Sequence, residues 1–346
     1  NSLGWKDKAL KVLDKMFIYP ENMKQRFIDT FQWLDKRPCA RKRGLGTRLP
    51  FDDKWVVESL SDSTMYMALY PIADLVKSRK LKEKNLSFNF FNYVFLGEGN
   101  KNEVSKESGV KASILDELRE AFLYWMPMDH RHTFDLHLSN HLSFMIFAFG
   151  ALLPEESWPK AISFHGLVTS EGEKMSKSKG NVITLLEVKE KYGADVFRLY
   201  MAGTANIEGS FDWRESEVLN VKNNLVKLHE VISELIKLKK KGKVRELFLS
   251  KFNRLIRDSE IKIKHMKYRE YVGLVFYEMM TLVKEAKLIM DEKEFSAFAH
   301  LVGEDWIKLV YPIVPHLAEE LWNKLGRRTF VSLESWPVHY EAEIKE

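Results

Sequence analysis

Between Glu173 and Asn181 the chain reads E-K-M-S-K-S-K-G-N, with Lys174, Lys177 and Lys179 placed around Ser176 and Ser178 and followed by Gly180. Ammonium groups and hydroxyls spaced in this way can converge on one polyanion, and glycine lets the backbone turn sharply afterwards. This is the composition of a loop that closes on a triphosphate. A lysine-rich surface loop has the same letters, so the flanking sequence has to separate the two.

Other residue groups also carry chemistry. His130, His132, His137 and His141 crowd into a short stretch, and the i, i+4 spacing of His137 and His141 would put both imidazoles on one helical face, as a metal site requires. No glutamate stands between them as in H-E-x-x-H, and Cys39 is the only cysteine, so neither a metalloprotease motif nor a thiolate pair is available. No metal site, zinc included, is predicted. Further upstream R-P-C-A-R-K-R-G-L-G-T-R-L-P gathers Arg37, Arg41, Lys42, Arg43 and Arg48 around Gly44 and Gly46. Both a solvated turn and a phosphate-binding surface fit that loop.

These groups need elements to position them. Trp5, Ala9, Val12, Leu13 and Met16 recur at helical spacing and Pro20 closes that element; a second helical pattern runs from Met23 to Leu34. The stretch from Trp55 to Leu69 reads as a strand running into a helix. Residues 77–113, rich in charge, read as an insertion with little core. W-P-K-A-I-S-F-H-G-L-V is a short strand continuous in apolar residues, as buried parallel strands are. After the lysine loop come two helices broken at Gly193, an order that suggests the edge of an α/β sheet. Beyond Trp213 the composition shifts: Leu219, Leu225, Leu228, Ile232, Leu235 and Ile236 open a helical bundle expected from Glu215 to Lys324. The helix with Pro312, Pro315, His316, Glu319 and Trp322 reads as structural.

A length of 346 residues exceeds the ~100 to 200 of one domain, so two are expected, 1–214 and 215–346. No apolar run approaches the ~18 residues of a membrane span. One cysteine and no charged-then-apolar leader point to a reducing, cytoplasmic setting. The net charge of +5 suits an ordinary lysine-rich surface and a nucleic-acid surface equally.

Taken in order, R-P-C-A-R-K-R-G-L-G-T-R-L-P, E-S-L-S-D-S-T-M-Y-M-A, D-H-R-H with S-N-H-L, W-P-K-A-I-S-F-H-G, K-M-S-K-S, Y-G-A-D-V-F-R-L-Y, F-D-W and Y-P-I-V-P-H-L-A-E-E-L-W resemble class I aminoacyl-tRNA synthetases. The resemblance runs nearly end to end and is nearest the leucyl-tRNA synthetase family of archaeal and eukaryotic cytosolic type. It implies the second half of a Rossmann-like catalytic domain followed by an all-α anticodon-binding-type domain. The implied reaction joins leucine and ATP into leucyl-adenylate and passes the acyl group to tRNA(Leu).

The family's loop stabilises departing pyrophosphate, so the resemblance gives Lys174, Ser176, Lys177 and Ser178 a catalytic role. It gives ATP contacts to His165, Gly166 and Met175 together with Lys174 and Lys177, and the leucine pocket to Leu60, Ser63, Tyr66, His137 and His141. Leu60, Ser63 and Tyr66, three apart, would share a helical face. Arg41, Lys42 and Arg43 become candidates for tRNA contact. Mg2+ is expected on the ATP phosphates, although no carboxylate identifies itself as its ligand. Asp195 and Arg198 are expected to brace the fold.

Some family features are not found. Many relatives carry S-G-K-D-L where this chain has T-F-D-L-H at 133–137, and Phe134 does not allow the close backbone approach of glycine. No H-I-G-H motif, editing domain or C-terminal tRNA-arm module is found. The expectation is therefore a chain that needs an N-terminal half, either as a separate subunit or as another part of the same chain, and that is poorly active alone. The alternatives are a non-catalytic tRNA-binding or assembly module, or a synthetase for another aliphatic amino acid.

Overall fold

Phe17, Ile18 and Tyr19, directly after the first amphipathic helix, form a strand that periodicity did not mark, because three residues are too few to show alternation. The computed structural model describes residues 4–34, 38–176, 178 and 180–345. Its contacts divide it into two units, Asn1–His165 and Gly166–Glu346. Residues 166–214 thus pack with the helical part, although the composition changes only near Trp213.

The first unit contains strands β1 (Phe17–Tyr19), β2 (Ala40–Arg41), β3 (Arg48–Leu49), β4 (Asp52–Val57), β5 (Arg131–Phe134) and β6 (Ala161–His165). A parallel sheet has the order β1-β6-β5, with Ile18 opposite Ile162 and Phe134 opposite His165. β6 is central, which accounts for its burial on both faces: Ile162, Ser163 and Phe164 are fully buried. The helices Trp5–Lys15, Asn22–Trp33 and Ser143–Leu152 supply the surrounding core through Val12, Phe27 and Phe149. β2, β4 and β3 form a separate antiparallel ribbon.

Residues 77–113 depart from the expectation of little core. Leu86, Phe90 and Val94 stand four apart and pack with Val104, Val110, Leu115 and Phe122. In the sequence that stripe is overshadowed by the exposed lysines and glutamates on either side of it, at 77–84 and 98–107.

In the second unit β7 (Val168–Ser170) pairs antiparallel with β8 (Glu173–Lys174) and parallel with β9 (Phe211–Trp213). The β7–β8 turn has φ of +51° at Glu171 and +81° at Gly172, the two positive values of a tight hairpin turn. Helices Leu185–Lys191 and Ala194–Thr204 follow, separated at Gly193 as expected. The bundle is built from Glu215–Leu235, Glu246–Lys264, Met279–Ile289, Glu292–Val310 and Pro315–Lys324, around buried Trp306, Trp322, Tyr271 and Phe248.

Asp195 and Arg198 do brace this unit. The Asp195 carboxylate accepts from the backbone N–H groups of His316 (3.3 Å) and Leu317 (2.6 Å), capping a helix that begins with Pro315. Arg198 donates to the carbonyls of Ile313 (2.9 Å) and Pro312 (2.7 Å). Among the described residues no helix is long and apolar enough to cross a membrane.

Candidate active site

Glu58 starts the construction in the first unit. Its carboxylate accepts from Leu60 N–H at 2.6 Å and caps the short helix Ser59–Ser63. A second helix, Tyr66–Ser78, begins only after Thr64 and Met65, so Leu60, Ser63 and Tyr66 do not share one continuous helix. All three side chains are half-buried.

Ser63 meets His141 across a long sequence separation: Ser63 Oγ lies 3.2 Å from His141 Nδ1. The opposite ring nitrogen, Nε2, is 3.0 Å from Arg131 Nη1 on β5. Burial, reinforced by the positive charge of Arg131 and by His137, holds His141 down to about 4. His141 is therefore neutral near pH 7.

His137 lies close enough for its charge to act on His141 but makes no hydrogen bond to it. A 3-10 turn, Asp135–His137, passes into a π turn, Leu138–Leu142, in place of the regular helix that the i, i+4 spacing suggested. His137 is exposed, its ring edge-on to Phe134 at 6.5 Å.

On either side of Arg131 in sequence, His130 Nε2 lies 2.7 Å and His132 Nδ1 2.8 Å from the Oγ of buried Ser163. One hydroxyl proton cannot serve both, so at least one imidazole donates to it. Burial, then the neighbouring His165 and His130, lower His132. Phe134 stacks on His165 with centroids 5.6 Å apart. Asp135 pairs with Arg26 at 3.2 Å.

In the basic ribbon Arg41 turns inward and donates to the Leu45 carbonyl at 2.8 Å. Lys42 lies over the Trp55 ring at 4.9 Å, and Arg43 is exposed. Arg37 lies outside the described residues.

In the second unit Lys174 ends β8 and is exposed. The hairpin beneath it is held by Asp212 on β9, whose Oδ1 accepts from Gly172 N–H and Thr169 Oγ1, both at 2.8 Å, while Oδ2 accepts from Arg214 Nε at 2.9 Å. These bonds, the Arg214 contact foremost, keep the Asp212 carboxyl below its usual range. Asn181 then staples the loop, accepting from Ser176 N–H at 2.8 Å and donating to the Lys174 carbonyl at 3.3 Å. Ser176 Oγ and Ser178 Oγ are 3.2 Å apart. Met175 is half-buried, and Lys177 and Lys179 lie outside the described residues.

Gly166 has an architectural reason for lacking a side chain. A Cβ there would sit 2.5 Å from the Gly209 carbonyl oxygen. His165 makes its ring contacts with His132 and Phe134 in the first unit.

Sequence reading singled out neither Arg131 nor Asp212 nor Asn181 for a role. Each lies within or beside a quoted motif, D-H-R-H, F-D-W and E-K-M-S-K-S-K-G-N, but its contact partner could be found only by folding. Among the described residues no three His, Cys, Asp or Glu side chains gather as a metal site would require.

Residues 133–214 match the family model for tRNA synthetases class I (I, L, M and V), and residues 245–346 match that for the anticodon-binding domain of tRNA ligase. The chain is 45% identical to the leucine–tRNA ligase of Staphylothermus marinus over 99% of its own length and 36% of the relative's. It is 39% identical to the Pyrococcus horikoshii enzyme over 96% of its own length and 36% of the relative's. It thus spans a little over a third of the curated relatives it matches. A ternary LeuRS–tRNA–LeuAMS complex from Agrobacterium radiobacter aligns with TM-score 0.59 at 16% identity, covering 89% of this chain and 37% of that one. Methionyl-tRNA synthetase of Mycobacterium tuberculosis bound by methionyl-adenylate aligns with TM-score 0.65 at 15% identity, covering 93% and 62%. These identities speak for the fold.

Proposed function

We propose, from the premise that this chain belongs to the leucine–tRNA ligase family of class I synthetases, that it supplies leucine and triphosphate contacts for making leucyl-adenylate and leucyl-tRNA(Leu). The observation that carries this reading is the exposed Lys174 on a hairpin braced at its turn by Asp212. A cation held in this way stabilises charge that develops on departing pyrophosphate, and does so more in the transition state than in the ground state.

In this reading Lys174 and Lys177 neutralise the phosphates, and Ser176 and Ser178 add hydrogen bonds. His165, Gly166 and Met175 meet the adenosine. Leu60, Ser63 and Tyr66 receive the leucine side chain with neutral His141 behind them, while exposed His137 lines the entrance. Lys42 and Arg43 face the tRNA backbone, and Arg41 shapes their loop. ATP is a substrate, and its Mg2+ arrives on the phosphates; no residue of this chain is assigned to hold it. Catalysis is positioning and charge stabilisation without a covalent enzyme intermediate. The setting is the cytoplasm.

The curated relatives are much longer, so full activity is assigned to this chain together with the remaining portion of such an enzyme, as a separate polypeptide or in one chain. The test is leucine-dependent ATP–pyrophosphate exchange by the chain alone and with that portion supplied. Exchange in the complete system that is lost in Lys174→Ala supports the reading. A second reading, a tRNA-binding module without adenylate chemistry, draws on Phe134 stacked against His165. Salt-sensitive tRNA affinity with no exchange in either system would select it.

A further inference from the structure

Arg131, His141 and Ser63 come from three separate elements of the first unit, and their contacts fix a proton. A guanidinium has N–H donors and no acceptor. Arg131 Nη1 stands 3.0 Å from His141 Nε2, so that nitrogen must present its lone pair. In a neutral imidazole the remaining proton is then on Nδ1, and Nδ1 is 3.2 Å from Ser63 Oγ. Ser63 accepts from His141, which leaves its own hydroxyl proton for a third group.

The surroundings make this arrangement one-sided. The other contacts of Arg131 Nη1 are the sulfurs of Met67 at 3.2 Å and Met145 at 3.7 Å, both weak acceptors that cannot compete with an imidazole lone pair. A proton on Nε2 would set N–H against N–H and bring a donor up to a fixed cation. Met67 and Tyr66 lie on the helix that follows Ser63, so the same cation borders the residues read as the amino-acid pocket.

We propose that Arg131 is a positioning residue of the amino-acid pocket: it locks His141 as the Nδ1–H tautomer and through it orients Ser63. The pocket role rests on the leucine reading above, whereas the tautomer lock does not. The consequence is that the imidazole and hydroxyl of the pocket wall are polar yet uncharged, which suits an aliphatic side chain.

The experiment is a long-range 1H–15N spectrum of the histidine side chains in the whole 346-residue chain, with the His141 signals assigned by their loss in His141→Asn. The wild type should show Nδ1 protonated and Nε2 bare. Arg131→Lys, which keeps a donor, and Ser63→Ala, which leaves Arg131 in place, should retain that pattern. Arg131→Met, matched to the neighbouring thioethers, should lose it. In leucine-dependent exchange by the complete system, Arg131→Met should raise KM for leucine about tenfold with a smaller effect on kcat, as for one lost hydrogen bond, and Arg131→Lys should restore most of it. An Nε2–H tautomer in the wild type, or an unchanged tautomer in Arg131→Met, overturns the lock. If Arg131→Met does not fold, an altered tautomer in Arg131→Lys would overturn it instead. A changed tautomer with unchanged KM overturns the pocket role. Absence of exchange in the wild type would count against the leucine reading and with it the pocket role, while the spectrum would still decide the lock.

Discussion

The Arg131–His141–Ser63 cluster and the lysine loop are built in opposite electrostatic ways. Around Ser63 and His141 the polar atoms are half-buried and satisfied by one another, and burial suppresses charge on the imidazole. Around Lys174 the cation is exposed, and the hairpin is held at its turn, where Asp212 takes up the Gly172 N–H, a hydroxyl and a guanidinium. An aliphatic ligand is recognised by shape, so charge near it is a cost; a polyphosphate is recognised by charge, so burial of the cation would be the cost. The first region is stabilised by what its side chains do to each other, the second by a brace that leaves the working side chain alone.

The largest expected effect breaks the second half of that contrast. Lys174→Ala should lower exchange by about a hundredfold or more, the scale of losing one transition-state charge contact, while leaving thermal stability within about 0.5 kcal/mol because the side chain is exposed. Exchange rates with a melting curve on the same sample check both parts.

Next comes Gly166→Ala. The added Cβ would meet the Gly209 carbonyl at 2.5 Å, so a destabilisation of about 1–3 kcal/mol is expected from overpacking, read by urea unfolding. An unaffected midpoint would return Gly166 to a ligand-contact role alone. Asp212→Asn keeps the shape and removes the charge facing Arg214. About 1 kcal/mol of stability and a modest fall in exchange are expected, because a hydrogen bond to a charged group is weakened while the hairpin persists.

The smallest effect sharpens the first half. Because the His141 value in the folded chain, about 4, lies below the ordinary 6.5, the unfolded chain binds the extra proton first. The stability that neutral His141 contributes is thus fully present above about pH 6.5 and is lost as pH falls toward 4. Denaturant unfolding across that window should show a shallower decline in Arg131→Met, where the guanidinium no longer opposes protonation.

Much of the fold was legible because helical spacing and a continuous apolar strand are local signals; the bundle from Glu215 and the strand Ala161–His165 are examples. Short β1 was missed, and the apolar stripe within residues 77–113 was overshadowed by charges on either side of it. At the site, Lys174 and Ser63 were legible as motif letters. The partners Arg131 and Asp212 were not, since the contacts Arg131–His141–Ser63 and Asp212–Gly172 exist only once distant segments meet. His137 and His141 show a different limit: the spacing read as regular helix is a 3-10 turn followed by a π turn.

The most direct test is ATP–pyrophosphate exchange by this chain with the remaining portion of a family enzyme supplied, run in parallel with leucine, isoleucine, valine and methionine. The account predicts exchange with leucine well above the other three and loss of it in Lys174→Ala. Equal exchange with all four amino acids, or leucine-dependent exchange that survives Lys174→Ala undiminished, would contradict it.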